Sequence, residues 1–362
     1  MKFNPYIEEV PVYVPGVTAE SLVKSRGFSL DEIVKLSSNE NPLGPSPFAV
    51  EAARYELNRV NLYPDNTYND LKKAIAENIG LPPEMVYVGN GSSEIFLFLS
   101  LAFLNEKSNI VTSKHTFQIY KISGRIVGAD VIQVPMREDL TINLERISQS
   151  VNENTRIIYI CNPNNPTGTY LSESEVKRFI ESVDQDVIIV FDEAYYEYVT
   201  ADDYPDTRKF IDRGNIVIIR TFSKIYGLAG LRLGYALTSP EIIEKFEHVR
   251  FPFSVSRVAR AAGIAALKDT NHVQQSRESN ERNKLKMYKK FEELGVKYYP
   301  SQGNFVYIET WMKGSEIFKK LLNYGVIVRP LDAYDLPMGV RVTVGDDLQT
   351  DKFLEAFERV IK

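Results

Sequence analysis

Two side chains that could take part in a chemical reaction lie where short apolar runs end. Lys224 follows residues 216–220 within Thr221-Phe-Ser-Lys224, and Asp192 follows residues 187–191. A lysine beside a buried strand can lose its proton by desolvation and become an amine nucleophile. A carboxylate in such a place needs a cation or several donors as a partner. That partner is either a neighbouring arginine or a protonated ring nitrogen of a ligand.

Two loops in comparable positions add polar groups. The segment Gly89-Asn90-Gly91-Ser92-Ser93 follows one apolar run and opens a helix, so its backbone N–H groups can approach a phosphate. The alternative is that Ser92 only caps this apolar helix. The stiff loop over residues 162–168 offers the donor and acceptor of Asn165, unless the loop is a plain turn.

These groups form a chemical set when they are taken together. They supply an amine for a Schiff base, an acid for a pyridinium nitrogen, donors for a ring oxygen and a phosphate cradle. Arg232, eight positions after Lys224, adds a cation. This set corresponds to what pyridoxal phosphate requires of a protein.

The elements that must position these residues follow a repeated order of strand, loop and helix. Apolar runs on both faces are typical of central strands in a mostly parallel sheet covered by helices. An α/β fold places ligands beyond the carboxyl ends of its strands, which is where the polar groups stand. The predicted strands of this part are residues 85–88, 109–112, 131–134, 156–160, 187–191 and 216–220.

The pattern changes near residue 251. Strand-like runs at 297–299, 304–309, 326–328 and 340–344 alternate with helical patterns at 271–294, 315–323 and 351–361. We therefore predict a large domain over residues 36–250. A smaller α+β domain is predicted to combine residues 1–35 with residues 251–362.

Composition excludes several classes of protein. The chain has 362 residues, and its 43 Lys and Arg against 48 Asp and Glu give a net charge of −5, which argues against nucleic acid or acidic lipid as a partner. One cysteine, Cys161, and three scattered histidines predict neither a disulfide nor a metal site. The N-terminus lacks a signal-peptide pattern, and no apolar run reaches the ~20 residues of a membrane span. We therefore expect a cytoplasmic protein.

The motifs resemble those of a known superfamily. Asn165-Pro-Thr-Gly168, Asp192-Glu-Ala-Tyr195 and Ser223-Lys224 followed by Gly230-Leu-Arg232 are similar, in order and spacing, to the fold-type I aminotransferases. Within these, the resemblance to the histidinol-phosphate aminotransferases runs nearly end to end. It is carried by Tyr13-Val-Pro-Gly16, Ser38-Asn-Glu-Asn-Pro-Leu-Gly-Pro-Ser-Pro47, Leu62-Tyr-Pro-Asp65, Arg250-Phe-Pro-Phe-Ser254 and Val340-Arg-Val-Thr-Val-Gly345. One departure is Ser93, where the family commonly has aspartate.

The resemblance implies a role for each matched residue toward the cofactor, pyridoxal 5'-phosphate. Lys224 would bind it covalently and then move the substrate proton, and Asp192 would pair with its ring nitrogen. Tyr195 and Asn165 would bond its phenolic oxygen. The remaining contacts would come from Ser92, Ser93, Ser223 and Arg232 on the phosphate and from Phe117 stacked on the ring.

The resemblance also implies how substrate and subunits meet. Arg341, Arg329 and Tyr13 would hold the anionic groups of the substrates, a carboxylate or a phosphate. Tyr63 would reach the phosphate of a neighbouring subunit's cofactor, so the active unit would be a homodimer.

The implied reaction is a ping-pong amino transfer from L-histidinol phosphate to 2-oxoglutarate, a step of histidine biosynthesis. Two alternatives share the fold, an aromatic amino acid aminotransferase and a threonine-phosphate decarboxylase. A third is a regulator that retains the cofactor without turnover. Such regulators usually carry a DNA-binding module, for which this acidic chain offers no basic arm.

Overall fold

The computed structural model describes residues 1, 5–12 and 16–362, with the backbone alone at residues 25 and 26. Its strands are β1 Val34–Lys35, β2 Val86–Gly89, β3 Asn109–Ser113, β4 Asp130–Val134, β5 Thr155–Cys161, β6 Ile188–Asp192, β7 Ile216–Thr221, β8 Gly234–Thr238, β9 Lys297–Tyr299, β10 Phe305–Glu309, β11 Val326–Ile327, β12 Arg329–Pro330 and β13 Gly339–Thr343.

Helices connect and cover these strands. The α-helices are α1 Ala19–Arg26, α2 Pro47–Leu57, α3 Asn69–Ile79, α4 Ser92–Phe103, α5 Ile119–Ile126, α6 Leu144–Gln149, α7 Glu173–Ser182, α8 Pro240–Val249, α9 Arg257–Lys268, α10 Thr270–Glu293, α11 Gly314–Leu321 and α12 Asp347–Ile361. Short 3-10 helices cover Pro5–Glu9, Leu30–Glu32, Pro83–Met85, Tyr196–Tyr198, Thr207–Arg213, Ala229–Leu231, Leu322–Tyr324 and Asp332–Tyr334. None of these described helices has the length and apolar character of a membrane span.

A seven-stranded sheet forms the centre of the larger part, in the order β2-β8-β7-β6-β5-β3-β4. Only β8 runs antiparallel to its two neighbours among these strands. Alternate residues of β6 face opposite layers: Ile189 and Phe191 pack into one apolar cluster, Val190 into the other. The expected α/β fold with a mostly parallel central sheet is confirmed.

A four-stranded antiparallel sheet, β12-β13-β10-β9, forms the centre of the smaller part. Phe291 of α10 and Phe357 of α12 pack on it as part of a separate apolar core. The N-terminal segment joins this core because β1 pairs in parallel with β11. Helix α9, by contrast, packs with the helices of the large sheet. The division of the chain at residue 250 stays a prediction.

Candidate active site

The site lies where three neighbouring parallel strands end. β5 ends at Cys161, which is in register with Asp192 at the end of β6, and Asp192 is in register with Ile219 near the end of β7. A cavity of about 140 Å³ opens at these ends. Its lining is Ser92, Ser93, Phe117, Cys161, Asn165, Asp192, Ala194, Tyr195, Thr221, Ser223, Lys224 and Arg232. The structure thus brings together nine of the residues that the sequence analysis selected.

Lys224 reaches this cavity from the turn that follows β7. The turn is held by Thr221 Oγ1, which accepts the backbone N–H of Ser223 at 3.1 Å. The Lys224 amine donates to the backbone oxygen of Ser38 at 3.2 Å. Desolvation lowers the pKa of this amine to about 8, and the positive charges of Arg341 and Arg232 act in the same direction. At pH 7 about a tenth of the amine is therefore neutral, far more than for a lysine of ordinary pKa.

Asp192 is buried at the end of β6, and its carboxylate has two donors. The phenol of Tyr120 in α5 donates to Oδ2 at 2.6 Å, and the backbone N–H of Ala194 donates to Oδ1 at 3.2 Å. Burial raises the pKa of Asp192 to about 6, although both hydrogen bonds favour the ionised form. A cation placed at this carboxylate would offset the cost of burying its charge.

Tyr195 and Asn165 face the cavity from two different loops. The Tyr195 hydroxyl accepts a hydrogen bond from Asn39 Nδ2 at 2.9 Å, and Asn165 Oδ1 accepts one from Arg341 Nη1 at 2.5 Å. Burial raises the pKa of the Tyr195 phenol, so it remains a neutral donor. The phenol and the Asn165 amide can therefore both donate to one ligand oxygen.

Arg341 reaches Asn165 from β13 of the smaller sheet. Its Nη2 donates to the backbone oxygen of Ser37 at 2.6 Å, and its guanidinium lies 5.5 Å from the ring centre of Phe305. Its buried Nε has no hydrogen-bond partner among the described residues. A buried guanidinium with an unused N–H is suited to an anionic group. Arg329 lies directly opposite Arg341 in the β12–β13 pair.

A cradle for an anion lies at the N-terminus of α4. Gly91 is the N-cap residue with φ 76°, and Ser92 is the first helical residue, so the alternative in which Ser92 caps the helix is wrong. A Cβ at Gly91 would lie 2.5 Å from Arg232 Nη2. Arg232 Nη1 also donates to Ser223 Oγ at 3.3 Å. The glycine thus lets a guanidinium approach the free N–H groups of the helix, an arrangement suited to a phosphate.

Besides Arg341, the selected residues Tyr63 and Arg329 lie outside the lining of the cavity. Tyr63 is 78% exposed and stacks on Phe253 with ring centres 4.7 Å apart, so it contributes nothing to the cavity within its own chain. Arg329 does not line the cavity, but it is paired with Arg341, which bonds Asn165 of the lining. Tyr13 falls outside the described residues.

Two site residues, Tyr120 and Asn39, were not found from the sequence. Tyr120 is fully buried, and its ring stacks on Tyr159 with centres 4.7 Å apart, so its phenol is aimed at Asp192 by packing. Its signal in the sequence was only its place three residues after Phe117. Asn39 lies in a loop with φ 54° and bonds Thr343 of β13 as well as Tyr195. Its signal in the sequence was its place in the motif over residues 38–47, to which no role in the site was assigned.

The groups in the cavity fit pyridoxal phosphate. An amine of lowered pKa, a buried carboxylate, two donors for a phenolic oxygen and a guanidinium over a helix N-terminus stand around one space. The Phe117 ring at the cavity wall meets Tyr120 edge-on at 5.9 Å, which leaves a face for a flat ligand. Fold and site together therefore define a pyridoxal-phosphate enzyme of fold-type I.

Comparisons with known proteins narrow the class. Residues 31–357 match the family described as aminotransferase class I and II. The histidinol-phosphate aminotransferase of Brevibacillus brevis is 42% identical over 356 residues, covering 98% of this chain and 97% of that protein. A crystal structure of the Sinorhizobium meliloti histidinol-phosphate aminotransferase in complex with pyridoxal-5'-phosphate matches at a TM-score of 0.91 and 29% identity, covering 99% of this chain and 97% of that one.

A decarboxylase shares the same fold. The L-threonine-O-3-phosphate decarboxylase of Porphyromonas gingivalis matches at a TM-score of 0.78 and 24% identity, covering 90% of this chain and 99% of that one. This likeness concerns the fold alone. The chain belongs to the class I and II aminotransferases and, within them, to the histidinol-phosphate aminotransferase family. The resemblance drawn from the motifs is confirmed.

Proposed function

We propose that this protein transfers the amino group of L-histidinol phosphate to 2-oxoglutarate, producing imidazole-acetol phosphate and L-glutamate. The observation that carries the proposal is the meeting of Lys224, Asp192 and Arg232 around one cavity in a chain 42% identical to such an enzyme. The role of each residue is part of the proposal.

Bound pyridoxal phosphate supplies an aldehyde that joins amines and a ring that accepts electrons from the substrate's Cα. Lys224 Nζ would hold that aldehyde covalently, and the freed amine would carry the proton from the substrate's Cα to the carbon of the former aldehyde. Asp192, oriented by the hydrogen bond from Tyr120, would hold the proton on the ring nitrogen. Tyr195 and Asn165 would donate to the ring's oxygen, and Phe117 would stack on its face.

The phosphate of the cofactor is held by the α4 N-terminus. Ser92 and Ser93 offer backbone N–H groups and hydroxyls from the first turn, and Ser223 and Arg232 close the cradle from the other side. Ser93 stands where the resemblance gives an aspartate, and its backbone N–H is available to the phosphate with either side chain.

The anionic ends of both substrates are held by arginines. Glutamate presents a carboxylate and histidinol phosphate a phosphate, and Arg341 with its unused Nε can donate to either. Arg329, opposite in the strand pair, adds a second cation, and the resemblance adds Tyr13. One set of arginines thereby serves both half-reactions.

A homodimer is the proposed active unit, and the cytoplasm its proposed location. Tyr63 lines an exposed groove together with the exposed side chains of Val60, Leu62 and Phe253. A surface of this kind supports contact with a second copy, whose cofactor phosphate Tyr63 would then reach. The single cysteine is typical of a reducing compartment.

The substrate is tested by single-turnover spectra of the purified yellow holoenzyme. Histidinol phosphate is expected to bleach the cofactor's visible absorbance at low concentration, and 2-oxoglutarate is expected to restore it. Phenylalanine and threonine phosphate serve as competing donors in the same assay. Turnover confined to phenylalanine, or release of carbon dioxide from threonine phosphate, would overturn the proposed substrate.

Arg341→Ala tests the proposed anion-binding role in a steady-state assay. Because the variant removes an anion-binding group and leaves Lys224 in place, it should raise the KM for glutamate by about tenfold or more. An unchanged KM in a folded variant would remove Arg341 from the substrate site.

A further inference from the structure

A buried ion pair lies directly behind the proposed cofactor carboxylate. Glu193 follows Asp192, and Arg220 stands on the neighbouring strand β7, four residues before Lys224. Arg220 donates to Glu193 Oε2 from Nε at 2.9 Å and from Nη2 at 2.8 Å. The two side chains are 3% and 0% exposed. Both charges are thus removed from water and neutralise each other.

Further contacts hold the side chains of Glu193 and Arg220 in one arrangement. Thr207 Oγ1 donates to the other carboxylate oxygen, Glu193 Oε1, at 2.5 Å. The Arg220 guanidinium lies 3.4 Å from the ring centre of Tyr196. The backbone N–H of Glu193 donates to the oxygen of Ile219 at 2.8 Å. The pair therefore joins the strand that ends at Asp192 to the strand that leads to Lys224.

Stability alone does not explain such a pair, because desolvation of two buried charges commonly cancels their attraction. Its position offers another explanation. The Glu193 charge pushes the pKa of Asp192 upward, the same direction as burial. An Asp192 that took up a proton could not pair with a protonated ring nitrogen. Arg220 opposes this by neutralising Glu193.

We propose that Arg220 and Glu193 are positioning residues of the active site, whose mutual neutralisation keeps Asp192 ionised and whose contact fixes the strand ends that carry Asp192 and Lys224. This inference rests on the proposed function, since Asp192 acts there on the cofactor. Neither residue lines the cavity, so the pair acts only through its neighbours.

Other titratable groups lie around Asp192 and around the Arg220–Glu193 pair, and the variants of the test leave them in place. Around Asp192 they are Tyr120, Cys161, Tyr195 and Lys224. Around the ion pair they are Tyr196, Glu197, Tyr204, Arg208, Tyr226 and Tyr235. Among these, burial raises the pKa of Glu197 to about 7.

The test uses two holoenzyme variants and the pH midpoint at which the bound cofactor's visible absorbance titrates. Arg220→Met removes a positive charge and leaves Glu193 unneutralised, so the midpoint should rise. Glu193→Gln retains hydrogen bonds to Arg220 and Thr207 but removes the negative charge, so the midpoint should fall. Each shift should be about half a pH unit or more at the distances of neighbouring strand ends.

The double variant Arg220→Met/Glu193→Gln should return the midpoint toward the wild-type value, because both charges are absent. Arg137→Met is the matched control: Arg137 pairs with Glu175 at 2.7 Å, remote from the cavity lining, and its loss should leave the midpoint unchanged. In Arg220→Met, kcat should fall while the KM for histidinol phosphate stays within about twofold, because the substrate arginines remain.

Shifts of both single variants in the same direction, or unchanged midpoints, would overturn the proposal and assign the pair a purely structural role. If Arg220→Met fails to fold, the proposal is still tested by the midpoints of Glu193→Gln, which should fall, and of the double variant, which should return toward the wild-type value. Failure of the proposed function is distinguishable, since it would appear in the wild-type protein as a lack of bound, titrating cofactor.

Discussion

At the scale of single residues, burial moves two pKa values in opposite directions. It lowers that of the Lys224 amine to about 8 and raises that of Asp192 to about 6. Between these values Asp192 is mostly ionised and the amine is partly neutral. In this pH interval the protein can offer a neutral amine to the aldehyde and an ionised carboxylate to the ring nitrogen.

The amine's pKa predicts how the cofactor binds. Only neutral Lys224 attacks the aldehyde, so the rate at which apoenzyme takes up pyridoxal phosphate should rise with pH through a midpoint near 8. Stopped-flow absorbance after mixing measures this rate. Lys224→Ala should show no such covalent phase, although the phosphate cradle still binds the cofactor. A rate independent of pH across this midpoint would contradict the assigned environment of Lys224.

The sequence alone was sufficient to select Lys224, Asp192 and Asn165, because each follows a strand and ligands bind at strand ends. It was not sufficient to find Tyr120 or Asn39. Their phenol and amide reach the site from α5 and from a loop before α2, and only tertiary packing brings them there. Hydrogen bonds between residues far apart in the chain leave no periodic pattern in a single sequence.

At the scale of elements, the phosphate cradle depends on how α4 begins. Gly91 takes φ 76° and has no side chain, so Arg232 can lie against the helix N-terminus. Gly234, at the start of β8, serves the same approach, since a Cβ there would meet the Ser92 backbone nitrogen at 2.5 Å. The cradle is thus shaped by two glycines on adjacent elements.

Gly91→Ala and Gly80→Ala separate this steric effect from backbone strain. Both glycines have positive φ, but a Cβ at Gly80 meets nothing within 4 Å. Gly80→Ala should lose about 1 kcal/mol of unfolding free energy, and Gly91→Ala more, because Gly91 with ψ 162° lies in a region that essentially only glycine adopts. Only Gly91→Ala should also weaken cofactor binding, by about tenfold or more, because it displaces Arg232. Calorimetry and fluorescence titration measure the two quantities. Equal cofactor affinity in both variants would contradict the proposed cradle.

The strands of the large sheet were predictable where apolar residues run on both faces, as in β5, β6 and β7. β8 was missed because its residues Gly234–Thr238 directly follow the glycine-rich stretch after Lys224, with no loop between them to mark the start of a strand. β8 pairs antiparallel with both of its neighbours, the edge strand β2 and β7. The repeated order of strand, loop and helix did not suggest antiparallel pairing. The last helix also begins earlier than predicted, at Asp347, capped by Asp346.

At the scale of the whole molecule, the site joins both sheets. Arg341 from the small sheet bonds Asn165 at the edge of the large sheet, and Thr343 of the same strand bonds Asn39, which bonds Tyr195. Substrate anions held by Arg341 would therefore lie next to the residues that hold the cofactor's ring. Tyr63 is the proposed contribution of a second copy.

Mixed dimers test that contribution. Lys224→Ala and Tyr63→Ala are each expected to be inactive at limiting cofactor. After subunit exchange, a hybrid has one site with both native residues, so about a quarter of the wild-type activity should return under random mixing. A steady-state assay after exchange measures it.

Lys224→Ala mixed with Asp192→Ala is the matched control. Both residues belong to the same chain's cavity, so no hybrid site is intact and no activity should return. Recovery in this control, or its absence in the first mixture, would contradict a shared site completed by Tyr63.

The most direct test of the whole account is reduction of the yellow holoenzyme with borohydride, followed by digestion and mass spectrometry. Reduction makes the attachment of the cofactor permanent. We predict that the pyridoxyl mass is found on Lys224 and on no other lysine. A stable label on a different lysine, or an unlabelled Lys224 peptide from fully loaded enzyme, would contradict the account.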